Sequence, residues 1–263
     1  MKSKKLSIPY IAWMLVFTLI PIVMIGLTAF RDKSGNFSFE PFANAYAYRY
    51  VFLKSLWIAL LSTVICLVLA YPLAYLLMRM KKSTQKTVQL LIMVPMWMNF
   101  LLRIYAWKIL LQKNGALDMA LSVLGIHGSY IHNTGAVIVG MVYEYLPFMV
   151  LPIFTVMSKI DNSLIEAAQD LGSNNLAVLR KVIFPLSIPG VISGITMVFV
   201  PSASTFLVAR YLGATDDIMI GDIIDKIFFI DQNTGSAISL VLMIFILVFL
   251  ILMNLFGDEE AIA

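Results

Sequence analysis

The chain has 263 residues, of which 60% are hydrophobic and only 13% charged, with a net charge of +4 and a mean hydropathy of +0.90. Soluble domains carry about 25% charged residues, so an ordinary water-soluble fold is excluded. The surplus of Lys and Arg suits anchoring at a membrane surface, and no interleaved basic and aromatic cluster points to nucleic acid.

A helix needs roughly 20 mainly apolar residues to cross a hydrocarbon core about 30 Å thick. Six segments qualify, at about 9–30, 55–78, 88–111, 135–157, 186–208 and 237–256. None has the strict two-residue alternation of a barrel strand, so backbone groups in lipid must be satisfied within helices. The expected fold is an all-α integral membrane protein.

The first segment follows Lys2, Lys4 and Lys5. It is too long for a signal peptide and no small-x-small cleavage site closes it, so it reads as a retained span. The second contains Cys66, the only cysteine; a disulfide within the chain is impossible and a Cys-based metal site is not expected. The third carries Arg103 and Lys108. Each costs about 2.5–3.5 kcal/mol at mid-membrane, against about 0.3–0.6 gained per Leu, Ile, Phe or Val. Either Lys108 snorkels to the outer surface or both charges face a protein-lined cavity. His127 and His132, the only histidines, sit in the following Gly/Ser/Asn-rich loop and read as solvated loop residues rather than metal ligands.

The fourth segment holds Glu144 between Tyr143 and Tyr145. An ionisable residue inside a span is by default a candidate functional group, and a carboxylate beside aromatic rings suits an ammonium ligand. The competing reading is a pair with Arg103 or Lys108 that holds helices together. Trp97, Asn99, Arg103 and Tyr105 are the other pathway candidates. Between the fifth and sixth segments lies an acidic loop with Asp216, Asp217, Asp222, Asp225 and Asp231, read as solvated or as a contact for a cationic substrate or a delivering protein. Proline punctuates five of the six spans (Pro21, Pro72, Pro95, Pro147 with Pro152, Pro189 with Pro201), and the last, lacking proline, is expected at the periphery.

With the N-terminus inside, ten Lys and Arg fall on the cytoplasmic side and seven on the outer side. The compact run Arg79–Lys86 is the strongest single indication. Both termini are then cytoplasmic, as is the connection 159–185. Ser163 and Glu166 have the capping-box spacing, with Gly172 placed to end a short helix in the left-handed conformation. Ile160, Leu164, Ala168 and Leu171 would form one apolar stripe. Ser173 would cap a second helix, 174–184, with Pro185 starting the turn into the fifth span. The connection reads as helix, glycine corner, helix. Glu166 is either a cap or a contact for another protein.

Glu166-Ala167-Ala168, Gly172, Val182, Phe184 and Pro185 resemble the EAA loop of ABC-importer permeases: EAA, three residues, Gly, nine residues, I-x-L-P. Val182 and Phe184 stand for the pattern's Ile and Leu. The stretches Val94–Tyr105, Tyr143–Pro152 and Leu164–Gly172 are similar to spermidine/putrescine-type permeases, the B-type subunit in particular. The resemblance implies a single permease domain over 1–263, with the type I six-span bundle, in a bacterial plasma (inner) membrane. It implies that 159–185 is a coupling loop whose Leu164, Glu166, Ala167, Ala168, Leu171, Gly172 and Pro185 dock on a cytoplasmic ATPase. Two ATPase copies, a second permease and an external binding protein are the implied partners, besides membrane lipid. The chain has no G-x-x-x-x-G-K-[ST] loop and no nucleophile–base constellation. A non-catalytic transport subunit without a cofactor is therefore expected. The competing readings are a permease for another small solute and a proton-coupled carrier using Glu144.

Overall fold

The structure is a computed structural model that describes residues 8–123, 125 and 128–260. The reading of Lys2, Lys4, Lys5 and His127 lies outside the described residues. The first helix, α1, runs as Ile8–Met14, a wider π turn Leu15–Leu19, and Ile20–Ala29. A short helix α2, Glu40–Tyr46, leads into α3, Arg49–Arg79. Then come α4, Lys82–Met93, α5, Phe100–Leu111, α6, Ala116–Ser122, and α7, Thr134–Met157. The helix α8, Asn162–Asp170, precedes a long helix α9, Asn175–Ser204. Finally α10, Leu207–Leu212, and α11, Ile220–Ile230, lead to α12, Gln232–Glu260.

Five of these helices are long and apolar enough to cross a membrane: α1, α3, α7, α9 and α12. The third expected span is not one helix. It is a pair, Lys82–Trp97 and Phe100–Ser122, bent by 92°. The pair makes the sixth span if its halves cross together. Two local causes produce the break. Pro95 sits in a tight 3-10 turn, Val94–Trp97. Asn99 then caps a new helix, its Oδ1 accepting from the Leu101 N–H at 2.9 Å. The other end of α4 is fixed by buried Gln85, whose Nε2 donates to the Met78 and Met80 carbonyls that end α3.

The centre of the bundle is α3, α7 and α9, packed on one another. Lipid tails are as apolar as Leu, so burial from water does not drive these helices together; close packing does. The sequences supply it. The buried face of α3 is mostly small, with Ser55, Ala59, Ser62, Thr63, Cys66, Ala70 and Ala74 beside the larger Ile58 and Leu77. On α9, Gly190 and Gly194 stand four residues apart against α7. A Cβ at Gly190 would lie 2.9 Å from the Pro152 carbonyl, and one at Gly194 2.7 Å from Met149 Sδ. Met141, Met149, Ile153 and Met157 of α7 fill the remaining space. Hydroxyls tie the helices further: Tyr71 and Ser187 meet at 3.0 Å, and Ser55 Oγ accepts from the Ile220 N–H at 2.7 Å.

The expectation that the last span is peripheral needs adjustment. The apolar window of α12 is 22% buried, whereas that of α1 is not buried at all. The outermost helix is therefore α1, which rests chiefly on α12. A helix that is apolar all round and unburied is suited to lipid or to another membrane protein.

Gly190→Val should lower the thermal midpoint of the detergent-solubilised protein, by an overpacking cost of about 1–3 kcal/mol. Gly26→Ala, where an added Cβ meets nothing within 4 Å, should leave it unchanged. Thermal unfolding monitored by size exclusion checks both.

Candidate functional site

Two groups of residues stand apart from bundle packing: the connection between α7 and α9, and the polar pair between α5 and α7. The connection is helix, glycine corner, helix, but its caps differ from those the sequence suggests. Asp161, not Ser163, caps α8, its Oδ1 accepting from the Ser163 N–H at 3.0 Å. That backbone bond, with help from the Ser163 hydroxyl, holds the Asp161 carboxyl below its ordinary range. Asn174, not Ser173, caps the second helix by accepting from the Ala177 N–H at 2.8 Å. In each case a neighbouring Asp or Asn takes the role, Asp161 just upstream of Ser163 and Asn174 just downstream of Ser173, and Asp and Asn rank at least level with Ser as caps.

The corner itself is as expected. Gly172 has φ +84°. Its N–H bonds to the Gln169 carbonyl at 2.8 Å and the Ser173 N–H to the Ala168 carbonyl at 3.0 Å. These two bonds make a Schellman motif, which satisfies the last carbonyls of α8. No turn occurs at Pro185. The helix passes through it because Leu179–Ile183 forms a π turn, closed by the Phe184 N–H on the Leu179 carbonyl. The widened turn accommodates a residue that has no N–H to donate and a ring that crowds the preceding turn.

The expected single apolar stripe is split in two. Ile160, Ile165 and Ala168 pack inward on the core. Leu164 and Leu171 face outward, Leu171 being 88% exposed. Leu176, which was not singled out from sequence, is also exposed; its signal is an apolar residue directly after the polar run 172–175. Glu166 and Ala167 are exposed and Ala168 half-buried. Glu166 has no ionic or side-chain hydrogen-bond partner among the described residues. It therefore does not close a capping box. The connection presents leucines and a free carboxylate on a rigid corner.

Within the bundle, Arg103 of α5 and Glu144 of α7 form an ion pair, Nη2 to Oε2 at 2.7 Å, with both side chains buried. The contact lacks hydrogen-bond alignment, and Glu144 Oε1 and Arg103 Nε have no partner. The other pathway candidates are dispersed around it. Tyr143 meets the Trp107 ring at 5.4 Å, and Tyr105 the Tyr211 ring at 5.0 Å. Asn99 serves as the α5 cap, and Trp97 is 72% exposed at the break in the third span. Lys108 does not join the pair; it lies half-buried, 6.0 Å from the Tyr105 ring centre.

The acidic loop is not simply solvated. Asp217 is buried and holds Lys54 Nζ at 2.7 Å and Thr134 Oγ1 at 2.8 Å. Asp222 is buried between Arg210 and Lys226, and Arg210 also reaches Asp225. Asp231 caps α12 through Thr234. Of these five, Asp216 is exposed, and its carboxylate has no such partner among the described residues. These partners join α3, α7, α10 and α11 across up to 163 residues of sequence, which no local pattern could reveal. Burial pushes the Asp217 carboxyl up, but Lys54, Thr134 and the Ala214 N–H outweigh it and hold it below its ordinary range. His132 is exposed, with Nδ1 at 3.2 Å from the Gly213 carbonyl.

Residues 66–258 match the family described as binding-protein-dependent transport system inner membrane components. The chain is 36% identical, over 253 residues, to the spermidine/putrescine transport system permease protein PotB of Haemophilus influenzae, covering 91% of this chain and 88% of that one. It is 36% identical over 248 residues to PotB of Escherichia coli, covering 89% and 90%. In fold it is similar to a chain from the crystal structure of a bacterial ABC transporter involved in the import of the acidic polysaccharide alginate. The TM-score is 0.80 at 17% identity, over 97% of this chain and 94% of that one.

Replacing Arg103 alone by Met leaves a buried carboxylate unpaired and should destabilise the protein by about 3–5 kcal/mol. Replacing Arg103 and Glu144 together should recover most of that loss, as read by a double-mutant cycle of unfolding midpoints. A second expectation concerns pH. The folded state binds the Asp217 proton less tightly than the unfolded chain. Its contribution is therefore complete above the ordinary carboxylate value of about 4 and is lost as pH falls through the lower folded value. Thermal midpoints measured from pH 7 to pH 3 should show this loss, and Asp217→Asn should remove that part of it.

Proposed function

The chain belongs to the family of binding-protein-dependent transport system inner membrane components, and we propose that within it the protein is the transmembrane permease subunit of an ATP-driven importer of polyamines. The observation that carries this reading is the 36% identity to spermidine/putrescine permeases along about nine-tenths of both chains. A likeness confined to the bundle would support the fold alone; this one also includes the connections.

The chain needs an outside source of energy, because its sequence holds no phosphate-cradling loop. The α8–Gly172–α9 corner is the proposed place where a cytoplasmic ATPase supplies it. Leu164 and Leu171 are exposed on an element too polar to sit in lipid. Exposed leucines there suit a partner groove, and Ala167 and Ala168 beside Glu166 let that partner approach closely. The Glu166 carboxylate is free to meet a basic group. Gly172 holds the bend, and Pro185 lies in the helix that carries movement into the bundle. Two ATPase copies, a second permease and an external binding protein complete the proposed assembly. With this corner inside the cell, both termini are cytoplasmic and the Lys54–Asp217 cluster faces out.

The proposed pathway runs beside Glu144, with Tyr143, Trp97, Asn99, Arg103 and Tyr105. Pairing with Glu144 neutralises Arg103, so that guanidinium would not repel a polycation. The aromatic side chains offer faces to ammonium groups. Trp97 and Tyr105 are exposed on the surface of this chain, where a second permease can complete the passage.

Glu166→Ala should abolish substrate-dependent uptake in proteoliposomes holding the whole transporter, while membrane insertion and assembly of the bundle persist. Wild-type uptake by that variant would remove Glu166 from the coupling role. In the same vesicles, unlabelled spermidine and putrescine should each compete with labelled polyamine, and sulfate should not. Uptake unaffected by either polyamine would overturn the substrate assignment and leave the family membership intact.

A further inference from the structure

At the end of the bundle away from the α8–α9 corner, α2, the start of α3, the start of α11 and the first turns of α12 surround a cavity of about 410 Å³. That size lies in the range of ordinary ligand sites. Its wall is apolar, with Phe42, Phe52, Leu53, Ile220, Ile238 and Val241 among the lining residues. Among the described residues, Arg49 is the only charged one that lines it.

The surroundings of Arg49 are unusual for a cation at a span end. Its guanidinium lies between the Tyr46 and Tyr50 rings, 4.5 Å from each centre. One Nη1–H donates to the Tyr46 carbonyl at 3.3 Å. No carboxylate pairs with it among the described residues. A guanidinium has five N–H donors in a fork that matches phosphate, and most of these five have no acceptor among the described residues. Arg49 also opens the first turn of α3, where the helix dipole favours an anion.

Tyr46 and Tyr50, which hold Arg49, are exposed, as is Phe39, whose ring centre lies 6.3 Å from that of Phe42 in the wall. Such aromatic side chains collect at the boundary between hydrocarbon and water. The location therefore offers an apolar chamber in reach of acyl chains, with a clamped, unpaired cation at its rim. A purely apolar ligand would leave Arg49 unused, and a soluble anion would leave the chamber empty. We propose that the cavity holds an acyl chain of a membrane phospholipid whose phosphate pairs with Arg49. The lipid then fills the space between the α2 segment and α12 and fixes the outer end of α3. This inference stands on the cavity and on Arg49, and does not depend on what the protein transports.

The test uses the full chain in mild detergent, delipidated and titrated with dioleoyl phosphatidylglycerol, with bound lipid counted by native mass spectrometry. Two probes separate the parts: dioleoylglycerol, with the same tails and no phosphate, and inorganic phosphate alone. Wild-type protein should bind the phospholipid at least tenfold more tightly than the diacylglycerol, and inorganic phosphate should not displace it. Arg49→Gln should remove the tenfold preference. Ala45→Trp and Val241→Trp, which fill the chamber, should each weaken phospholipid binding about tenfold. Equal binding of the two lipids by wild type would overturn the proposal. So would unchanged phospholipid binding by folded tryptophan variants, including a case where they instead lose a co-purifying polypeptide. Arg49→Gln leaves the apolar side chains of the wall in place, so its preference decides the matter even where a tryptophan variant fails to fold.

Discussion

The arrangement of the bundle depends on how closely α9 can approach α7. In lipid, apolar side chains gain little by meeting one another, and the association rests on packing and interhelical polar bonds. Gly190 and Gly194 remove the side chains that would separate the two backbones. The small face of α3 does the same on the other side, from Ser55 to Ala74. With the three helices fixed, the rest of the chain has surfaces to attach to. Arg103 can reach Glu144 only because α5 folds back against α7 after the break at Asn99. At one end, Lys54, Thr134 and Asp217 tie α3 and α7 to the segment after α10.

The α8–α9 corner is joined to this core without a hinge at Pro185. Because α9 continues from Asn175 to Ser204, the residues that follow the glycine corner and those that pack on α7 belong to one helix. A displacement of the corner would be carried along that helix as a rigid element rather than absorbed in a loop. The outward leucines and the free Glu166 lie at the end of this lever. Under the proposed function, the ATPase would act on the corner, and the closely packed α7–α9 pair would move together.

Much of the fold was legible because lipid demands long apolar helices, and four spans start or end within a few residues of their expected places. The third span was misread as one helix. Its break was visible in principle in Pro95 followed by Asn99 before an apolar run, a cap signal that the total apolar length concealed. The start of the fifth span was missed for the opposite reason: a proline usually marks a boundary, but the π turn before Pro185 absorbs it. Local chemistry gave Gly172 correctly, since a left-handed corner has few other solutions. It misplaced both caps by choosing Ser where Asp161, two residues upstream, and Asn174, one residue downstream, take the role. The Lys54–Asp217 and Arg210 pairs of the acidic loop were not legible, because they join residues of different segments; Lys226–Asp222, four residues apart on α11, is the local exception. For Glu144 the sequence offered two readings, and the structure supplies the Arg103 pair.

The central claim is that the α8–Gly172–α9 corner is where an ATPase grips this chain. Cys66 is the only cysteine and is buried, so Leu171→Cys introduces a single exposed thiol at the corner. In the transporter assembled in its native membrane, a bifunctional thiol cross-linker should join that position to a chain that hydrolyses ATP. A Phe37→Cys protein, labelled at the opposite end of the bundle, should yield no such adduct. An ATPase adduct from Phe37→Cys and none from Leu171→Cys would contradict the account.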